Sequence, residues 1–151
     1  MNIETAKEVF TLVVNYDQTL KKMIEAGKYD LVNRCITEEN FPLSNELAGK
    51  KTSVSAKLFH FDRSISSEDA ISEMDRAGYR PATLAELLAL GEAQPELQRQ
   101  FPIIALGSVW RDAYGDRDVP ELSVDGYERR LFLDWFDRDW DARCRFFAVR
   151  K

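Results

Sequence analysis

Three stretches of the chain decide the fold: GYRPATLAELLALGE (residues 78–92), FPIIALGSVW (101–110) and LDWFDRDWDARCRFFAVRK (133–151). In the first, Thr83 and Glu86 are spaced as a capping box. Leu84, Leu87 and Leu88 form an apolar helical face behind them, and Gly91 is placed to stop the helix. Pro95 suits the first turn of a further short helix, PELQRQ. In the second, IIALGSVW is a nearly continuous apolar run, which predicts a central strand with Trp110 in the core. Residues 112–118, with Gly115 in their midst, read as a turn. VPELSV and YERRLFLDW then flank Asp125-Gly126, a strong hairpin dipeptide, and RCRFFAVRK reads as the closing strand.

Upstream, strands and helices alternate. EVFTLVVN (8–15) is β-branched and aromatic and predicts a strand. Asp17 is the expected N-cap of a short helix with Leu20, Met23 and Ile24 on one face, and Gly27 its expected left-handed stop. KYDLVNRCI (28–36) predicts a second strand. Residues 37–51 read as a polar connection interrupted by Phe41-Pro42 and Gly49. SVSAKLFHF (53–61) predicts a strand more buried towards its end. Residues 66–76 predict a helix opened by Ser66 and Asp69, with Gly78 as the stop. The succession implies an α+β fold, a mixed, mainly antiparallel sheet with about three short helices, in one globular domain over residues 1–151.

Composition narrows the function. The 151 residues carry 44% hydrophobic and 31% charged side chains, enough for a core that buries roughly two-thirds of the unfolded surface. A net charge of −5 argues against nucleic acid. The basic pairs Lys50-Lys51, Arg129-Arg130 and Arg150-Lys151 read as solvated surface. No apolar run reaches a bilayer-spanning length, and the acidic, polar start MNIETAKEVF is unlike a signal peptide. Two widely spaced cysteines, Cys35 and Cys144, read as free thiols. A cytoplasmic protein is therefore expected.

Catalytic patterns are few. His60, the single histidine, denies the chain HExxH and the usual histidine metal clusters, and reads as a partly buried structural residue. Ser108 in Gly107-Ser108-Val109 lacks the GxSxG elbow, no glycine-rich loop is present, and no cofactor is expected. The pattern Asp137, Asp139, Asp141 opens like a calcium loop but meets Ala142 where glycine is needed and Ala148 where a bidentate glutamate is needed, so no metal is expected. Trp140, between Asp139 and Asp141, is the expected rim or pocket residue, because indole and carboxylate together suit sugar hydroxyls or a cation. Trp135, Asp137, Asp139, Trp140, Asp141 and Arg143 are thus the candidate ligand-binding residues.

ISSEDAISEMDRAGYRPATLAELLALGE, FPIIALGSVW and LDWFDRDWDARCRFFAVRK together resemble a bacterial family of small proteins without assigned activity, over nearly the whole chain. More distantly, Gly78-Tyr79-Arg80-Pro81-Ala82-Thr83, Ser108-Val109-Trp110 and residues 145–150 resemble C-type-lectin-like domains of the sulfatase-modifying-factor kind. That resemblance implies a C-type-lectin-like C-terminal half. The disulfides and the asparagine of that fold's calcium-dependent sugar site have no counterpart here.

The expected function is a non-catalytic binding or interaction module, for a small molecule or a protein, using the aromatic and acidic C-terminal surface. The alternatives are a hydrolase-like enzyme with Asp137, Asp139 or Glu128 as acid and base, or a homo-oligomer whose aromatic patch is the subunit interface.

Overall fold

In the computed structural model of the chain, residues 9–151 are described, so the part of the N-terminal reading that rests on residues 1–8 lies outside them. The fold is α+β. The helices are α1 (Leu20–Gly27), α2 (Ser67–Arg76) and α3 (Leu84–Ala93). The strands are β1 (Val9–Asn15), β2 (Leu31–Val32), β3 (Lys51–Phe59), β4 (Ile65–Ser66), β5 (Tyr79–Pro81), β6 (Ile103–Ile104), β7 (Trp110–Arg111), β8 (Arg117–Asp125), β9 (Glu128–Trp135), β10 (Asp139–Trp140) and β11 (Arg145–Arg150).

One sheet runs β1-β3-β11-β6-β8-β9-β2, with β5 added to β11 and β7 to β8; β4 and β10 form a separate pair. Among the described residues only the β11–β6 and β2–β9 pairs are parallel. The centre of the sheet is covered on both faces, which explains the unbroken apolar run of β11. Phe147 and Val149 point into a core with α1 and α3, whereas Phe146 and Ala148 point into a second core with α2 and Trp140. Ile103 and Ile104 on β6, and Leu122 and Val119 on β8, divide in the same way. Among the described residues no helix is long and apolar enough to cross a membrane.

The capping box of α3 is complete. Glu86 N–H donates to Thr83 Oγ1 at 3.3 Å, and Thr83 N–H donates to Glu86 Oε1 at 2.9 Å. Ser66 caps α2, its hydroxyl accepting from Asp69 N–H at 3.1 Å. Other expectations give way to local chemistry. Thr19, not Asp17, caps α1, and the left-handed residue after it is Lys28 (φ 53°), not Gly27. The strand expected over residues 28–36 shrinks to β2, because Asn33 Oδ1 accepts from Cys35 N–H at 2.8 Å and starts a turn. The run 103–110 is strand only at its two ends. Between them Gly107 N–H bonds Ala82 O at 2.8 Å, so close that a Cβ on Gly107 would stand 2.5 Å from that oxygen. The hairpin turn is Gly126-Tyr127, since Asp125 pairs with Glu128; Gly126 (φ 62°) takes the first central position, as a type II′ turn requires.

Gly91 does not end α3 but lies within it, and its lack of a side chain serves the contact with α1. The Tyr29 ring inserts between the helices: a Cβ on Gly27 would meet Tyr29 Cε2 at 2.3 Å, and one on Gly91 would meet Tyr29 Oη at 2.0 Å. Beside this ring lies Arg129, 5% exposed, its guanidinium 4.8 Å from the ring centroid. The sequence suggests a solvated basic pair at Arg129-Arg130, yet Arg129 is buried because two helix ends and Gln98 supply its acceptors. Nη1 donates to Gly27 O (2.7 Å) and Lys28 O (3.3 Å), and Nη2 to Gly91 O (3.3 Å) and Gln98 Oε1 (2.9 Å).

The Tyr29 hydroxyl is buried with no hydrogen-bond partner. Burial accordingly pushes its pKa well above the ordinary phenol value. Gly91→Ala should lower stability by about 1–3 kcal/mol in urea titration, although alanine is the better helix former, because the new methyl collides with that hydroxyl. Tyr29→Phe should be neutral or stabilising, and should recover part of the Gly91→Ala loss. A Gly91→Ala protein as stable as its parent would show that the two helices part without cost.

Candidate functional site

The candidate residues of the C-terminal loop do not form one site. Trp140 is not at the rim: it is 1% exposed, its indole Nε1 donates to Ser67 Oγ at 2.8 Å, and its ring meets Phe146 edge-on at 5.9 Å. Ser67 Oγ in turn donates to Phe136 O at 2.7 Å, so the buried indole is fully satisfied. Trp135 is 60% exposed. Trp110 is half-buried rather than central, packed against the core and against Phe41.

The carboxylates are exposed and separately engaged. Asp137 pairs with Arg117, which holds its carboxyl below the usual range, and Asp139 lies opposite Ser66 in the β4–β10 pair. Asp141 Oδ1 accepts from Arg143 N–H at 2.9 Å, closing a local turn that leaves Arg143 in solvent. Among the described residues no three acidic, histidine or cysteine side chains gather as a metal site. Glu128 is exposed, as are Asp137 and Asp139. His60 Nε2 lies 2.9 Å from Ala142 O, a tie between β3 and the C-terminal loop. Both cysteines are free, and burial pushes the Cys144 thiol up to about 12, which keeps it protonated and unreactive.

The structure offers instead a cleft of about 460 Å³ at the start of α3, within the size of small-molecule sites. Phe41, Leu43 and Leu47 of the long connection line it together with Leu84, Val109 and Tyr16. Its polar feature is an ion pair. Arg80 meets Glu86 in two parallel hydrogen bonds, Nη1 to Oε1 at 3.0 Å and Nη2 to Oε2 at 2.7 Å. The Glu86 side chain is 4% exposed and the Arg80 side chain 40%, so the pair is buried on its acidic side and more open on its basic side. The hydrogen bonds to Glu86 hold Arg80 more firmly in its charged form, while burial and the Glu86 charge keep Tyr16 a neutral phenol.

The helix N-terminus beside this pair is partly occupied. Leu84 N–H donates to Ser108 Oγ at 2.8 Å, and the capping box uses the N–H groups of Thr83 and Glu86. Of the first three helical amides, those of Leu84 and Glu86 are thus engaged within the protein. Ser108 Oγ serves as a cap of α3. What remains for a ligand is an apolar lining, the exposed edge of one guanidinium, and the polar side chains of Asn40, Ser44 and Thr83.

Sequence reasoning missed this cleft. Glu86 announced itself as a helix cap, and that role concealed its second partner, Arg80. The aromatic Phe41 inside a polar connection was the one signal that residues 37–51 cover something.

On the opposite face, burial and the nearby Asp134 raise the Glu121 carboxyl to about 7 from 4.5. A carboxyl that holds its proton more tightly when folded contributes fully below its unfolded value; that contribution is lost as the pH rises through about 7. Glu121→Gln should therefore be more stable than the parent above neutral pH, by roughly 1–2 kcal/mol, with a flatter stability profile between pH 4.5 and 7. Thermal melts across that window test it, and parallel profiles for the two proteins would refute it.

Comparison of the chain with protein-family models, curated proteins and solved structures finds no match.

Proposed function

We propose that the protein is a non-catalytic binding module whose ligand site is the cleft between residues 40–47 and the start of α3. The observation that carries this reading is the Arg80–Glu86 pair, with its carboxylate sunk in the protein and its guanidinium turned to an apolar cleft. A pair neutralised on one side disfavours a highly charged anion. It suits a small amphipathic molecule, with a hydrogen-bond acceptor at Arg80 and an apolar group against Phe41 and Leu47. A binding rather than catalytic role is supported by the engagement of Ser108 Oγ as a helix cap. The two free thiols favour the cytoplasm as its compartment. The likeness of the C-terminal half to C-type-lectin-like domains belongs to the same proposal; in its favour stand the capped helix, the mid-domain strand and the closing strand.

A fragment screen read by ligand-observed NMR tests the proposal. Amphipathic acceptors should bind the parent and lose binding in Val109→Trp, which fills the cleft mouth from a half-exposed position. Circular dichroism should show that variant folded. Fragments that bind the parent and Val109→Trp alike, or a screen with no binder at all, would refute the assignment.

A further inference from the structure

The unused edge of Arg80 sets the chemistry of a ligand in the cleft at α3. A guanidinium carries five N–H donors in one plane. Three are used within the protein: Nη1 donates to Glu86 Oε1 at 3.0 Å and to Pro81 O at 3.3 Å, and Nη2 donates to Glu86 Oε2 at 2.7 Å. The two that remain, Nε–H and the second N–H of Nη2, have no partner among the described residues. They are neighbours on one edge and run parallel, the geometry that a carboxylate accepts with both of its oxygens.

Glu86 holds that edge in place. Its Oε1 also accepts from Thr83 N–H at 2.9 Å, and its side chain is almost fully buried, so the carboxylate that grips Arg80 is itself pinned to the start of α3. The guanidinium is oriented before a ligand arrives, and less freedom is lost on binding.

Charge narrows the class further. Among the residues that line the cleft only Arg80 and Glu86 are charged, and both oxygens of Glu86 are engaged. A cationic group would meet a guanidinium and no free acid. A neutral carbonyl would forgo the strength of a bond charged on both sides. A dianion would set two charges beside buried Glu86. One negative charge is the best match, and it is favoured by the positive end of α3, whose first residues Leu84 and Ala85 line the same cleft. The apolar lining from Phe41, Leu47 and Val109 calls for an apolar body attached to that charge.

We infer, resting on the assignment of the cleft as the ligand site, that its ligand is a monocarboxylate with an apolar body. The carboxylate is held by Nε and Nη2 of Arg80, and the body lies against Phe41, Leu47 and Val109.

3-Phenylpropionate serves as the probe and its neutral amide, 3-phenylpropanamide, as the control. With the full chain at neutral pH, the acid should shift the backbone amide resonances of Ala85 and Val109 saturably and bind at least about tenfold more tightly than the amide. Arg80→Lys keeps a cation for Glu86 but removes the parallel donors, so it should weaken the acid at least about tenfold and the amide by less. Circular dichroism should show that variant folded; if it does not, the comparison of acid and amide on the parent decides. An amide that binds as tightly as the acid would overturn the carboxylate while leaving the cleft as the binding site. So would undiminished binding of the acid by Arg80→Lys, or no saturable shift with the acid where neutral fragments bind. If no amphipathic acceptor binds at all, the cleft and the carboxylate fall together.

Discussion

Arg129→Met is expected to cost about 3–5 kcal/mol in urea or thermal unfolding, more than any surface arginine of this chain. Among the described residues Arg129 has no carboxylate partner for its guanidinium. Its counter-charge is the C-terminal end of α1 together with the last turn of α3, through the carbonyls of Gly27, Lys28 and Gly91. Those carbonyls carry the negative end of each helix dipole and have no intrahelical donor of their own at the helix ends. Methionine fills the volume but leaves the acceptors in place, together with Gln98 Oε1, so the loss is dominated by unpaired buried polar groups. Arg129→Lys should recover only a small part, since one ammonium cannot reach two helices and Gln98 at once. A methionine variant within 1 kcal/mol of the parent would show that water replaces the guanidinium without penalty.

The second large effect separates two tryptophans five residues apart. Trp140→Ala should cost about 3–5 kcal/mol by creating a cavity against Phe146 and by stripping Ser67 Oγ of its indole donor. Trp135→Ala should change stability by no more than about 0.5 kcal/mol, because its side chain is mostly in solvent. Paired denaturant titrations decide the matter. Equal losses at the two positions would contradict the division between core and surface.

These two cases show what the sequence could convey. The capping box of α3, the hairpin around Gly126 and the closing strand were legible, because each depends on residues within a few positions of one another. Trp140 was not, because its flanking aspartates point to solvent while its ring enters a core built by β11 and α2. Arg129 was misread for the same reason: its partners lie 31 to 102 residues away. Gly91 looked like a helix stop because the tyrosine that needs its missing side chain comes from residue 29. The cleft was hidden since Phe41, Arg80 and Ser108 converge only through the tertiary fold.

The position of β11 has a consequence for how the molecule assembles. The strand that contributes alternate residues to both cores follows every other strand in chain order, and it pairs with β3 some ninety positions earlier, as in Val149 opposite Ala56. Hairpins such as β8–β9 can close locally, but neither core is complete until this last strand inserts between β3 and β6. Nascent chains emerging from a ribosome would thus expose two unfinished apolar faces until synthesis had passed β11, and closure would come as one late, slow step governed by long-range pairing.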